Sequence, residues 1–226
     1  MKQFKLLMPV LLIMFTAIRC SNMNNDNNNP DGKDGGEEKK FSTVTEAAVA
    51  AKEDMLKAME TVDFGVSADK LRNAAPGTPV YKYEVDWNAL LQADTAAMPE
   101  NMAAHGSVTL VPLINNGEVV TIVSLRDADG QFGIGGMGDK QISNELDMVR
   151  RADSAGMMGE ISIYEVPNLQ ATVYTVKGSN RYYTSYNNNS IRRPMSAQEL
   201  VKVLRADAAI FERTYRDELK KGDLVK

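Results

Sequence analysis

The sequence has little of the chemistry on which most enzymes and metal sites depend, since it holds one cysteine and one histidine among 226 residues. A lone cysteine, Cys20, cannot form an intrachain disulfide. The one histidine, His105, is the only imidazole that could activate a nucleophile in covalent catalysis. We expect His105 to lie in a loop. Ser154 is one substitution away from the nucleophile elbow but follows a helix pattern, where the elbow needs a strand. These features predict no catalytic residue, no bound metal and no cofactor.

Two motifs suggest a cofactor but lack the context that one requires. Residues 133–138 match the G-x-G-x-x-G pattern of dinucleotide sites letter for letter. That pattern works in the turn directly after a parallel strand, whereas a turn at residues 127–130 and a strand pattern at Gln131 come first here. We therefore predict a glycine-rich connection between a strand and a helix. Asp127 and Asp129 resemble the start of a calcium loop, but the rest of that loop is missing, which favours a β-turn.

The chain has no apolar run long enough to cross a bilayer as a helix, which needs about 20 residues. The run closest to that length covers residues 6–18 and contains Pro9, and the cations Lys2 and Lys5 precede it. A basic start followed by a short apolar segment is typical of a secretory signal peptide. The sequence predicts a signal peptide over residues 1–19 and export of the remainder.

Cys20 stands where this apolar segment gives way to a run rich in asparagine and aspartate. Here the sequence resembles the bacterial lipoproteins, over residues 1–40 only, although Arg19 occupies the place of the small residue before the lipobox cysteine. The resemblance implies that Cys20 is lipidated and anchors the mature protein to a membrane of the cell envelope, at the outer membrane or cell surface. Residues 20–40 have almost no apolar side chains and predict a disordered tether.

The charge balance narrows the choice of partners. The formal net charge is -4, and removing residues 1–19, which hold three cations and no acid, lowers it to -7. An acidic protein is repelled by nucleic acid and by anionic lipid headgroups. The expected partners are the membrane, reached through the N-terminal lipid, and a protein or glycan, but not nucleic acid.

Residues 41–226 show the patterns of a single folded domain. Amphipathic helices are predicted near the N-terminus, in the centre and at the C-terminus, the first and last beginning at the capping boxes Thr43-x-x-Glu46 and Ser196-x-x-Glu199. Strands joined by short turns are antiparallel, so we predict an α+β fold with six or seven strands in one or two antiparallel sheets. The helix and strand patterns cover residues 44–62, 67–73, 81–87, 89–93, 108–114, 119–125, 131–132, 142–152, 161–166, 171–176, 181–186 and 196–215.

One group of side chains has the composition of a binding surface, because tyrosine and arginine are enriched in binding hot spots. The group consists of Arg181, Tyr182, Tyr183, Tyr186, Arg192 and Arg193. We accordingly predict a non-enzymatic binding or scaffolding lipoprotein of the cell envelope. One alternative is a protease-inhibitor or propeptide-like module, which needs an exposed loop or edge strand. Another is a hydrolase built on carboxylates such as Asp127, Asp129 and Glu160.

Overall fold

The computed structural model describes residues 39–94, 97–104, 107–153 and 159–221. The expected signal peptide, Cys20, nearly all of the tether, His105 and Ser154 lie outside these ranges, so the expectations for them stay predictions. In the described residues the helices are α1 (Val44–Ala58), α2 (Ala68–Arg72), α3 (Trp87–Gln92), α4 (Lys140–Ala152) and α5 (Ala197–Lys221). The strands are β1 (Lys40–Phe41), β2 (Ala75–Pro76), β3 (Val80–Glu84), β4 (Val108–Asn115), β5 (Glu118–Ala128), β6 (Gln131–Met137), β7 (Ile161–Val166), β8 (Ala171–Val176) and β9 (Tyr182–Tyr183).

These strands form one mixed sheet in the order β1-β6-β5-β4-β3-β7-β8-β9, with β2 paired to β4 outside that path. The pair of β3 and β7 is parallel, with Tyr81 opposite Ser162, and the remaining pairs are antiparallel. The α+β class is confirmed, but the expectation of six or seven antiparallel strands is wrong in number and in direction. The chain passes through β4, β5, β6 and α4 between β3 and β7, and so long a crossover permits parallel pairing.

Helices cover both faces of the sheet. Successive strand residues point to opposite faces, so the cluster in which each residue packs identifies its face. In β4, the side chain of Leu110 packs in the cluster that contains α4, whereas its neighbour Val111 packs in the cluster that contains α1. A third cluster joins α3 and α5 to β7 and β8, on the face opposite α4. Among the described helices, α4 is therefore the one that packs on this face of the sheet. Among the described residues no helix has the length and apolar character that a bilayer span requires.

The capping box predicted at Ser196 is confirmed, and at Thr43 the N-cap half of the predicted box is confirmed. The Glu46 N–H donates to Thr43 Oγ1 at 3.1 Å, and at α5 the Ser196 N–H donates to Glu199 Oε2 at 3.0 Å while the Glu199 N–H donates to Ser196 Oγ at 3.3 Å. The predicted end of α1 is wrong, since the helix stops at Ala58 and Val62 is 50% exposed.

The strand predicted over residues 81–87 is too long. It ends at Glu84. The Asp86 side chain accepts the Ala89 N–H at 2.7 Å and caps α3, which begins at the next residue, Trp87. Trp87 therefore belongs to a helix, where its ring meets that of Phe211 edge-on with centroids 5.6 Å apart. The aspartate cap overrides the alternating pattern because it satisfies an orphan N–H of the helix end.

The glycine run is not a connection, which corrects the sequence prediction. Residues 133–137 continue β6, and the register shifts between Ser124 and Leu125, so Gly135 is the extra residue of a β-bulge. The chain leaves the strand only at Gly138, whose φ of 84° favours glycine. The predicted turn at residues 127–130 is confirmed, with the Gly130 N–H donating to Asp127 Oδ1 at 3.1 Å.

Candidate functional site

Tyr182 and Tyr183 do not belong to any surface, which corrects their place in the predicted binding cluster. They form β9, shorter than the strand predicted there, and expose 1% and 0% of their area. Tyr182 points into the core beside α5 and Tyr183 into the core beneath α4. Adjacent strand residues face opposite sides, and here both sides are covered.

Each of the three tyrosines in the predicted binding cluster donates its hydroxyl to a carboxylate from another part of the chain. Burial raises the pKa of all three phenols, and it raises the pKa of Tyr186 to about 12 with help from the bond to Asp207. These bonds tie the edge of the sheet to α5, to the end of α4 and to the turn after α3. The pairs are Tyr182 with Glu100 at 3.0 Å, Tyr183 with Asp153 at 3.0 Å and Tyr186 with Asp207 at 2.9 Å.

A fourth pair fixes the middle of α4. The buried Glu145 accepts the hydroxyl of Tyr174 at 2.9 Å and that of Ser185 at 2.7 Å. Burial, followed by the charge of Glu145, raises the pKa of Tyr174. The Ser185 hydroxyl thus donates directly to a carboxylate. In a serine nucleophile a histidine lies between the serine and the acid and accepts the serine proton, so we assign this hydrogen bond a structural role.

The arginines of the predicted cluster remain on the surface but differ in their partners. Arg181 Nη2 forms an ion pair with the fully buried Asp153 at 2.9 Å. Arg192 and Arg193 are exposed and form no ion pair with the described residues. These two guanidinium groups are consequently open to an outside partner.

Arg192 borders a cleft of about 490 Å³ beside α4, which we call the α4 cleft. The cleft runs between the second half of α4, the β4–β5 hairpin and the loop before α5. The side chains around it are mixed in charge and in polarity. They belong to Glu118, Val119, Asn144, Asp147, Met148, Arg151, Ala152 and Arg192.

One carboxylate holds the two main walls of the cleft together. Asp147 Oδ1 accepts the N–H of Val119 at 3.0 Å, at the start of β5, and Asp147 Oδ2 accepts from Arg151 Nε at 2.7 Å. That hydrogen bond, with the charge of Asp147, raises the pKa of Arg151. The hairpin itself is set by Asn116 and Gly117, both with positive φ, as the sequence predicted. Asp147 is therefore a structural group of this site.

The third wall is a tight loop that presents Arg192. Asn187 and Asn188 take positive φ values of 54° and 61°, which asparagine tolerates better than most residues. Ile191 is 8% exposed and packs in the core beneath α4, and the Arg193 N–H donates to the Ser190 carbonyl at 2.8 Å. The buried residue before Arg192 and the turn around it hold this guanidinium at the cleft.

One cation at the cleft has no ion-pair partner in the part of the chain that the structure describes. Glu118 is paired with Lys70 at 3.0 Å and Asp147 with Arg151 at 2.7 Å, so these four charges are matched. Among the described cations of the cleft Arg192 is the one without an ion pair, and Val119 and Met148 add apolar atoms to the lining. Such an arrangement can bind an acidic or hydrogen-bond-accepting group on a partly apolar partner.

The sequence interpretation found Arg192 but missed Asp147 and Arg151. Their spacing of four residues is a recognised sign of an ion pair on a helix, so a charge reading of α4 could have found them. Nothing local shows that the β4–β5 hairpin lies against that helix face. The link between them arises only from the fold.

The carboxylates named for a hydrolase are not brought together. Asp127 and Asp129 lie in the β5–β6 turn, whereas Glu160 precedes β7 and pairs with Lys177 at 2.9 Å. Two strands, β4 and β3, separate β5 from β7 in the sheet. Across the described ranges there is also no group of three or more histidine, cysteine, aspartate or glutamate side chains placed to hold a metal ion.

No family model, no curated protein and no solved structure matches this chain. Its function therefore has to be inferred from its own residues and geometry.

Proposed function

We propose that this protein is exported, anchored to the cell envelope through lipid on Cys20, and acts as a non-enzymatic binding module through the α4 cleft. The partner is a protein or glycan of the envelope that offers an acidic group to Arg192. One observation carries the binding proposal, namely an exposed guanidinium at the edge of the α4 cleft that forms no ion pair with the described residues.

The state of the cleft's charged groups supports binding over catalysis. A general base needs a free acceptor within reach of the proton that it takes, but Asp147 already accepts two hydrogen bonds. Glu118 is held by Lys70. The described side chains around the cleft include neither histidine nor cysteine. The groups left to contact a ligand are mainly the exposed guanidinium of Arg192 and the apolar part of the lining.

The proposed tether suits a module that works at a surface. Residues 21–40 are polar and glycine-containing, and a flexible chain of that length has a root-mean-square span of roughly 25 Å. Such a tether keeps the body within about that distance of the lipid anchor. In that position the α4 cleft can reach partners in the envelope while the lipid keeps the protein local.

Site-specific photo-crosslinking in intact cells tests the binding proposal. A photoreactive residue replaces Arg193, next to Arg192, and in a second strain it replaces Arg205, an exposed arginine on α5. We expect a discrete adduct from position 193 and none from position 205. Adducts of equal yield and size from both positions would contradict a specific surface.

Charge reversal tests the role assigned to Arg192. In the same crosslinking strain, Arg192→Glu is expected to remove the adduct because it places a like charge against the acidic group. Arg192→Lys should keep part of it, and Arg205→Glu, which changes the net charge equally, should leave it intact. Retention of the adduct in Arg192→Glu would refute recognition through this guanidinium.

A further inference from the structure

The charges that border the α4 cleft favour a partner with a single acidic group. Arg192 is exposed, but the lining also contains the carboxylates of Glu118 and Asp147. The Glu118 side chain stays 46% exposed although it pairs with Lys70, so a second acid on the partner would meet its negative charge. A polyanion is therefore disfavoured, whereas one carboxylate flanked by uncharged groups matches the surface.

The described lining of the α4 cleft contains no aromatic side chain. Residues 154–158, which follow α4 in the chain, have the sequence Ser-Ala-Gly-Met-Met and include no aromatic residue either. The C–H groups of a sugar ring pack best on the electron-rich face of an aromatic ring, and these residues do not supply one. A sugar would gain hydrogen bonds from this cleft but little packing, which disfavours a glycan.

The apolar part of the lining is aliphatic and suits the side chain of a protein. It comes from Val119, Met148 and Ala152. Val119 is buried and Met148 is half-buried. Methionine is unbranched and has a polarisable sulfur, so it adapts to side chains of different shapes and is frequent on surfaces that bind peptides. An aliphatic residue of the partner can therefore pack against Met148.

The α4 wall of the cleft has the length of a short peptide. The residues of α4 that border the cleft run from Asn144 to Ala152, a distance along the helix of about 12 Å. An extended chain advances about 3.3 Å per residue, so about four residues fit along this wall. Asn144 is exposed, and its amide can both donate to and accept from a peptide group.

We infer that the partner in the α4 cleft is a protein, which presents an extended segment with one aspartate or glutamate beside an aliphatic residue. The acid pairs with Arg192, and the aliphatic side chain packs against Val119 and Met148. Arginine and carboxylate form charge-assisted pairs that are stronger than neutral hydrogen bonds. The proposed function allows a protein or a glycan, and this inference, which rests on that proposed function, selects the protein.

Methyl NMR of the full chain in detergent, labelled at methionine, tests the ligand class because Met148 reports on the cleft itself. The probes are the acetylated and amidated peptide Ser-Gly-Asp-Leu-Gly-Ser, the same peptide with asparagine in place of aspartate, and digalacturonate as a carboxylated sugar. The Met148 signal, assigned by its loss in Met148→Leu, should shift with the aspartate peptide. The signal of Met55, which is fully buried in the cluster that contains α1, should stay fixed.

The relative affinities of the probes decide the outcome. The asparagine peptide and digalacturonate should each bind roughly tenfold more weakly than the aspartate peptide, because the first lacks the charge and the second lacks the aliphatic side chain. Equal affinity of the two peptides, or no shift with either up to high millimolar concentration, overturns the inference. Digalacturonate that binds as tightly as the aspartate peptide identifies a glycan and overturns it as well.

A peptide with more acids tests the claim of a single acidic group. Ser-Asp-Asp-Leu-Asp-Ser should bind no more tightly than the aspartate peptide, because Glu118 and Asp147 repel the added charges. Tighter binding of this peptide would contradict the inference.

Variants assign the peptide to Arg192. Arg192→Gln should weaken binding of the aspartate peptide roughly tenfold, whereas Arg205→Gln, which changes an exposed arginine on α5, should bind like the wild type. Unchanged affinity in Arg192→Gln overturns the assignment. Peptide binding without an adduct from position 193 in cells would contradict the proposed function and keep the ligand class. An adduct there without peptide binding would contradict the ligand class and keep the proposed function.

Discussion

Replacing Asp153 with alanine should destabilise the fold strongly, because this carboxylate is fully buried and accepts hydrogen bonds from two of the described side chains. It accepts the hydroxyl of Tyr183 at 3.0 Å and a guanidinium N–H of Arg181 at 2.9 Å. Tyr183 is itself 0% exposed, so its hydroxyl would lose an acceptor and gain no water, at a cost of about 1–3 kcal/mol. The side chain of Arg181 is 46% exposed and stays hydrated, which limits its loss to about 1 kcal/mol.

The expected total of about 2–4 kcal/mol is measurable by urea unfolding followed by circular dichroism. Asp54→Ala is the control, since the interaction that Asp54 makes among the described residues is an exposed ion pair with Lys57 at 3.7 Å, and it should change the free energy of unfolding by less than about 0.5 kcal/mol. In a double-mutant cycle, Asp153→Ala and Tyr183→Phe should couple by about 1–2 kcal/mol. A loss below about 0.5 kcal/mol for Asp153→Ala, or simple additivity in the cycle, would refute this reasoning.

Three further predictions concern glycines, the tether and pH. Gly77→Ala should destabilise by about 1–3 kcal/mol because its methyl meets Ile114, whereas Gly136→Ala, with open space around it, should be neutral in thermal melts, and equal effects would contradict the packing. Deleting residues 22–39 should change the free energy of unfolding by less than about 1 kcal/mol, since a segment without apolar side chains adds no core, and a larger loss would show that the tether packs on the body. Stability should fall as pH rises from about 10, where unfolded tyrosine ionises, towards the folded pKa of Tyr186 at about 12, because the neutral phenol is favoured in the fold. Tyr186→Phe should remove the part of that fall that Tyr186 contributes, since the pKa values of Tyr174, Tyr182 and Tyr183 are raised as well, and an unchanged slope in a series of melts would argue against the assignment.

Features with a local cause could be predicted from the sequence. The N-cap at Thr43, the capping box at Ser196 and the Asn116-Gly117 turn each act within four residues, so a short stretch of sequence contains the whole interaction. The hydrophobic spacing of α4 was equally informative, since Ile142, Leu146 and Val149 are all buried.

Features that depend on distant pairing could not be predicted in this way. The parallel contact of β3 with β7 joins segments about 80 residues apart, and no local pattern encodes it. The glycines of β6 read as a connection because glycine is a weak strand former, yet pairing with β5 overrides that preference.

The candidate site illustrates the same division. Tyrosine and arginine in residues 181–193 suggested a surface by composition, but composition does not distinguish an exposed tyrosine from a buried one with a carboxylate partner. Glu100, Asp153 and Asp207, which accept the three tyrosine hydroxyls, come from distant parts of the chain. Only Arg192, whose neighbour Ile191 enters the core, could be recognised as part of the α4 cleft, and only after the fold was known.

The central claim, anchorage of a folded module through lipid on Cys20, is tested most directly by detergent phase partitioning of cell lysates. The wild-type protein should enter the detergent phase and incorporate labelled fatty acid, because several acyl chains together give stable membrane anchoring. Cys20→Ala should move the protein to the aqueous phase and abolish the label, whereas Ser21→Ala should behave like the wild type. Unchanged partitioning of Cys20→Ala, or a wild-type protein that takes up no fatty acid, would contradict the account.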